Sequence, residues 1–136
     1  MPIVGLNLKS IHANFDEKKA VGNLEINSTP KIDYVEKREF KFAGLSEALI
    51  IGFTFKTTYS PDVGEIAFTG EIVYQTPDIK KALKSWKDAK KLDDELMVEA
   101  FNAIFRKCLA KAVSIAEDLR LPPPLTFPMV APKKKE

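Results

Sequence analysis

The stretch from Leu92 to Leu121 constrains this chain more than any other. It reads as one long helix, opened by Asp93-Asp94-Glu95 and stopped by Leu121-Pro122-Pro123-Pro124. Acids favour the positive end of a helix dipole and cap free N–H groups. Prolines cannot continue a helix, and each biases the residue before it away from helical geometry. At about 3.6 residues per turn, Met97, Phe101, Ile104, Cys108, Ala112, Ile115 and Leu119 form one apolar stripe. Val98, Phe105, Leu109, Val113 and Ala116 form a second beside it, and Arg106, Lys107, Lys111, Ser114, Glu117 and Asp118 occupy the remainder. The two stripes exceed the roughly 100° arc that a surface helix needs against one core. Either this helix sits in a deep cleft of its own domain, or its second stripe meets another chain or an apolar ligand. Val98, Phe105, Leu109 and Val113 are therefore candidate oligomer-interface residues.

Everything before that helix alternates. From Ile3 to Phe15, Val4, Leu6 and Leu8 share one face, and Ile11, Ala13 and Phe15 continue it after a change of phase, so a bulge is predicted near Lys9-Ser10. After the polar turn Asp16-Glu17-Lys18-Lys19, Val21, Leu24 and Ile26 mark a second strand, expected to form a hairpin with the first. Asn27-Ser28-Thr29-Pro30 is a breaker. The segment Lys31 to Phe42 leaves three placements open: an edge strand, an extended crossover, or a long β arm bent at Pro30. The plainest strand pair is Glu47–Ser60 and Glu65–Gln75, joined by Ser60-Pro61-Asp62-Val63-Gly64. Its greasy face carries Leu49, Ile51, Phe53, Phe55, Thr57 and Tyr59 opposite Ile66, Phe68, Gly70, Ile72 and Tyr74.

Thr76-Pro77-Asp78 then predicts a helix start. The short helix runs to Ala89, with Ile79, Ala82, Leu83 and Trp86 inward and its lysines outward. Strands first and helices last give an α+β fold: an antiparallel sheet of about four strands, covered on one face by a short and a long C-terminal helix. At 136 residues a single domain over residues 1–132 is expected, with 133–136 as a disordered basic tail. Leu125, Phe127, Met129 and Val130 are possible anchors of the proline-rich exit.

Composition excludes several classes. A net charge of +2 is too weak to argue for nucleic acid. The longest apolar runs fall far short of the roughly 20 residues that span a bilayer, and no leader-like segment opens the chain, so no membrane insertion is expected. One cysteine permits no intramolecular disulfide and suits a reducing compartment, which makes the cytosol the expected setting.

Chemistry-bearing groups are sparse. His12 stands alone mid-strand, without ligands at metal spacing. Cys108 lies on the core stripe, where a buried inert thiol is the stronger reading. The acids at 93–95 are explained by a helix start, and no glycine-rich phosphate loop precedes a helix. Lys80, Lys81, Lys84, Lys87, Lys90 and Lys91 crowd one segment, but Trp86 falls on the opposite, apolar side of that helix, so a solvated face is the simpler account. No catalytic residue, metal or cofactor is expected. The aromatic stripe Phe53, Phe55, Phe68 and Tyr74 is first a sheet core and secondarily a groove for extended polypeptide.

The order and pattern of residues 3 to 131 resemble the SecB family of protein-export chaperones. The paired strands Ala48–Tyr59 and Glu65–Tyr74 resemble the family's central hairpin. Asn102-Ala103-Ile104-Phe105 resembles its "N-x-L-F" helix segment, and Leu121-Pro122-Pro123-Pro124-Leu125-Thr126-Phe127-Pro128-Met129-Val130 resembles its exit through proline into an "L-x-P-V" run. The resemblance implies a sheet-and-helix protomer that assembles with itself as a homodimer or dimer of dimers, and binds unfolded polypeptides along apolar grooves for delivery to an export motor. The tail Ala131–Glu136 has no counterpart of the family's motor-contacting tail.

The expected function is thus a non-enzymatic holdase for non-native polypeptides. Exposed, rigid apolar side chains on strand or crossover positions are its candidate peptide contacts: Tyr34, Phe40 and Phe42. The alternative is an oligomeric structural or adaptor domain without chaperone activity. An enzyme or small-ligand carrier with a site between sheet and helix is the third class.

Overall fold

The computed structural model describes residues 3–16, 24–42, 45–60 and 63–124; the side chains of residues 40–42 and 45–46 lie outside that description. Four strands come first: β1 (Ile3–Phe15), β2 (Glu25–Phe42), β3 (Leu45–Ser60) and β4 (Gly64–Tyr74). Two helices follow, α1 (Ile79–Ala89) and α2 (Asp94–Asp118). The strands form one antiparallel sheet in the order β1-β4-β3-β2, and both helices pack on one face of it. The fold is α+β, with the element order that the periodicities predict.

The expected β1–β2 hairpin does not form. β1 pairs with β4 and β2 with β3, so the first two strands lie at opposite edges of the sheet. Adjacency in sequence favours a hairpin locally, but β4 offers β1 a long apolar partner in Ile66, Phe68 and Ile72. The two halves of residues 25–42 also merge. β2 runs unbroken through Pro30, opposite Phe55, and is an edge strand. Outward-facing amides at a sheet edge have no strand partner, which is why proline is tolerated there.

The bulge expected at Lys9-Ser10 is present as a register shift between Leu8 and Ser10. A second shift lies between Ile3 and Gly5. It takes Val4 out of the ladder, so Val4 does not share a face with Leu6 and Leu8 as the alternation suggests.

The core lies between sheet and helices. Leu49, Ile51, Phe53, Phe55 and Tyr59 of β3 and Ile66, Phe68 and Ile72 of β4 are fully buried there. Thr57 is buried among them because its hydroxyl is bonded to that of Ser28, 2.9 Å away. The deepest row of α2 is Leu96, Ala100, Ile104, Cys108, Ala112 and Ala116. Most of these are small, so the helix axis comes close to the sheet. Met97, Phe101, Ile115 and Leu119 of the anticipated stripe flank that row, half-buried.

Helix boundaries have local causes. The Thr76 hydroxyl accepts the Asp78 amide at 3.2 Å, but regular helix begins only at Ile79. α1 ends on Lys90, whose φ of 55° places it in the left-handed region without a glycine. Asp93 stands at the α2 N-cap without a side-chain cap bond, so the acids at 93–95 act there through the helix dipole alone. α2 stops before the prolines. Arg120 takes φ 60°, its amide donates to the Glu117 carbonyl at 3.2 Å, and the Leu121 amide donates to Ala116 at 2.8 Å. That pair of bonds is a Schellman motif, and buried Leu121 completes it. The Tyr59 hydroxyl then donates to the Pro122 carbonyl at 2.7 Å, tying the exit to β3. The expected turns at residues 17–19 and 61–62, Val21, the anchors from Leu125 to Val130 and the tail 133–136 lie outside the described residues.

Candidate functional site

The helix-free face of the sheet is organised by a carboxylate. Glu71 alternates outward on β4 yet is only 8% exposed. Three basic or hydroxyl groups converge on it from both edge strands. Arg38 of β2 donates to both carboxylate oxygens, at 2.9 and 3.0 Å, and also to Glu36 at 2.6 Å. The Tyr34 hydroxyl donates to the same carboxylate. From the other edge, Lys9 of β1 places its Nζ 3.7 Å away, turned toward Glu71 by the bulge at that position.

To reach β4, the β2 side chains must pass over β3. Tyr34 sits opposite Gly52, and a Cβ at Gly52 would clash with the Tyr34 ring. The line from Arg38, opposite Ala48, to Glu71, opposite Gly52, crosses Ile50, and both Ala48 and Ile50 are fully buried. The arginine stem thus covers apolar surface while its head binds the acid. One carboxylate therefore ties both edge strands to β4, across β3.

The electrostatics follow. The bonded Arg38 guanidinium holds the Glu71 carboxyl down at about 2, against its own desolvation, with Tyr34 helping. The same bond raises Arg38, and Glu71 pushes the Tyr34 hydroxyl up to about 12. Glu71 is thus stabilised in its charged form. Its contribution is complete above the ordinary carboxyl value of 4.5 and is lost as pH falls from there toward about 2. Glu71→Gln is expected to lower stability by about 2 kcal/mol at neutral pH. The difference from the parent should shrink steadily in denaturant titrations below pH 4.5. A difference that stays constant with pH would contradict the clamp.

The second feature is a groove on the helix side, between α2 and the edge strand β1. Its volume is about 430 Å³, and its walls include Leu6, Ala103, Arg106, Lys107 and Ala110. On the same edge, Val4 and Ile11 are each 53% exposed. Ile11 faces the helix side of the sheet, opposite Phe68, but lies past the cover that α2 provides.

The third feature is a cleft of about 530 Å³ between α1 and the start of α2, which gathers Asp78, Asp93, Asp94, Glu95 and Glu99. The Tyr74 hydroxyl beside them is raised, by burial first and then by Glu99, Glu95 and Asp93. Among the described residues no buried side-chain polar atom lacks a partner, and no group of three or more His, Cys, Asp or Glu could hold a metal ion. Cys108 is fully buried, and burial pushes its thiol up to about 11. His12 is exposed on β1, 3.3 Å from Asn14.

The residues singled out from sequence are placed on different surfaces. Tyr34 is 36% exposed on the helix-free face, with its hydroxyl engaged by Glu71. Phe40 and Phe42 fall in the same edge strand, but their side chains lie outside the described residues. On α2, Val98 is 58% exposed, whereas Phe105 and Leu109 are half-buried against the core and Val113 is half-buried. The Phe105 ring meets Phe55 edge-on at 5.6 Å. The structure places Tyr34 on the helix-free face and the α2 candidates on the helix side, so these do not share a surface. The sequence pattern points to neither the Glu71 clamp nor the Leu6 groove. Their faint signals are an acid alternating with apolar residues on β4, and alanines 103 and 110 among the cations of α2.

The class so defined is an α+β protein with helices on one side of its sheet, two long edge strands, and an apolar groove beside one of them. Among solved structures the chain is similar to a SecB-like chaperone of Mycobacterium tuberculosis, solved in complex with a peptide from an antitoxin. The two are 15% identical over 97% of this chain and 91% of that one, with a TM-score of 0.44. At that identity and score the likeness carries no weight on function or assembly. No family model matches the chain. No curated protein matches it. Among the described residues no helix is long and apolar enough to cross a membrane.

Proposed function

We propose that this chain is a non-enzymatic, SecB-like polypeptide-binding protein that holds non-native chains in extended form in the cytosol. The observation that supports this most is the uncovered apolar edge. Val4 and Ile11 stand half exposed on a 13-residue edge strand, the strand that also supplies Leu6 to the groove. An extended client adds to such an edge through backbone hydrogen bonds and drops alternate side chains into the groove. Burial supplies about 25 cal/mol per Å² of apolar surface before ordering costs. Weak, sequence-tolerant holding is what that chemistry favours. Tyr34, Phe40 and Phe42 on the opposite edge are proposed as a second line of client contacts. Self-association through the α2 flank of Val98, Phe105, Leu109 and Val113 gives a dimer or dimer of dimers and leaves the β1 edge free.

The second reading is an oligomeric adaptor that holds no client; exposed Val98 on α2 favours it equally. A chemically denatured client diluted into the protein discriminates the two. A holdase keeps the client soluble at near-stoichiometric ratios, and Ile11→Asp weakens that protection. Light scattering on the free protein reports its mass. An assembled protein that leaves client aggregation unchanged is an adaptor, and a monomer sinks the interface proposed on α2.

A further inference from the structure

The flank of α2 that faces β1 combines small residues with exposed cations. Ala103, Lys107, Ala110 and Ser114 follow one another at steps of four, three and four, and so share a helix face. Arg106 and Lys111 border that face, and Leu6 stands across the groove. Arg106, Lys107 and Lys111 are all exposed, and among the described residues none of them takes part in an ion pair and no carboxylate lines the groove. The free edge of β1 runs alongside, with no strand partner on its outer side among the described residues.

We propose that this groove takes an extended acidic polypeptide segment, added to β1 as a fifth strand, whose inward side chains are apolar and whose carboxylates meet Arg106, Lys107 and Lys111. This rests on the polypeptide-holding reading and narrows the class of client. Strand addition contributes hydrogen bonds whatever the sequence, and the groove rewards apolar side chains. The three cations then set the preference, because like-charged clients are disfavoured and oppositely charged ones are drawn in. A second copy is the poorer occupant. Two β1 strands paired about a two-fold axis put both α2 helices on the same side of the joined sheet, with their cationic flanks toward each other.

The test uses the full chain and two labelled peptides with the same alternating apolar core, one flanked by glutamates and one by lysines. Anisotropy titration at low salt should show the glutamate peptide binding roughly tenfold tighter, as three exposed ion pairs allow. The gap should close as added salt screens it. The R106E/K107E/K111E variant should invert the preference, and K107E alone should shift it partway. All three positions are exposed, so the fold is expected to survive; circular dichroism checks this, and K107E serves if the triple variant unfolds. Hydrogen exchange should show new protection on β1 and on residues 103–114 with the glutamate peptide. Equal affinities, a lysine preference, or a preference unmoved by the substitutions would overturn the acidic client while leaving polypeptide holding intact. Failure of both peptides to bind, with no aggregation suppression, would overturn both readings. A doubled mass with β1 already protected in the free protein would assign the edge to a second copy and overturn the inference.

Discussion

Phe55→Ala is expected to remove about 4 kcal/mol of stability, within the range for deleting a buried aromatic ring. Phe55 is fully buried on β3, with its ring 6.5 Å from Phe68 and edge-on to Phe105 at 5.6 Å. It joins two strands of the sheet to the long helix. Domains of this size are stable by about 5–15 kcal/mol, so the loss is a large fraction of the total. Thermal unfolding should shift down by roughly 15 °C. A denaturant midpoint that falls by the equivalent of less than 1 kcal/mol would mean that α2 is not seated on the sheet as described.

Gly70→Ala is expected to cost about 3 kcal/mol, at the upper end for an overpacked core. A methyl group there would lie 2.5 Å from the Asn7 carbonyl oxygen and 2.7 Å from Phe53 Cζ. The ring can swing aside, but the carbonyl belongs to the backbone of β1 and moves only if the strand does. Phe53 lies opposite Gly70 and its ring fills the place of the missing side chain, an aromatic covering a strand glycine. Gly5, on β1, is the control. Nothing lies within 4 Å of a Cβ built there, so Gly5→Ala should be neutral or stabilising by about 0.5 kcal/mol. Equal effects at the two positions, read from chemical denaturation, would contradict the close approach of β1 to β4.

These two positions mark how far the sequence was legible. Phe55 stands in an unbroken alternation that could only be a buried strand face, and its role as core followed directly. Gly70 has the same parity but no side chain, so its importance lay in a neighbour 17 residues earlier that pairs with it. The candidate site was less legible still. Leu6, Ala103 and Lys107 come from opposite ends of the chain, and nothing in either segment announces the other. The pattern reads Tyr34 as a free apolar contact, yet it hands its hydroxyl to a carboxylate two strands away. A glutamate on the outward face of a strand reads as solvated until Arg38 and Lys9 are brought over it.

The sequence by itself determined the order of the elements, the inward faces of β3, β4 and α1, and the bulge in the first strand. Those follow from periodicity and turn chemistry, which act over a few residues. Tertiary structure alone decided that β1 joins β4 rather than β2, that Pro30 lies within an edge strand, and that Glu71 gathers both edges. It also decided that α2 and β1 leave a cation-rimmed groove. Each of these depends on which distant partner wins when the whole chain closes. That choice is set by the summed burial and pairing of all four strands, a quantity no local window contains.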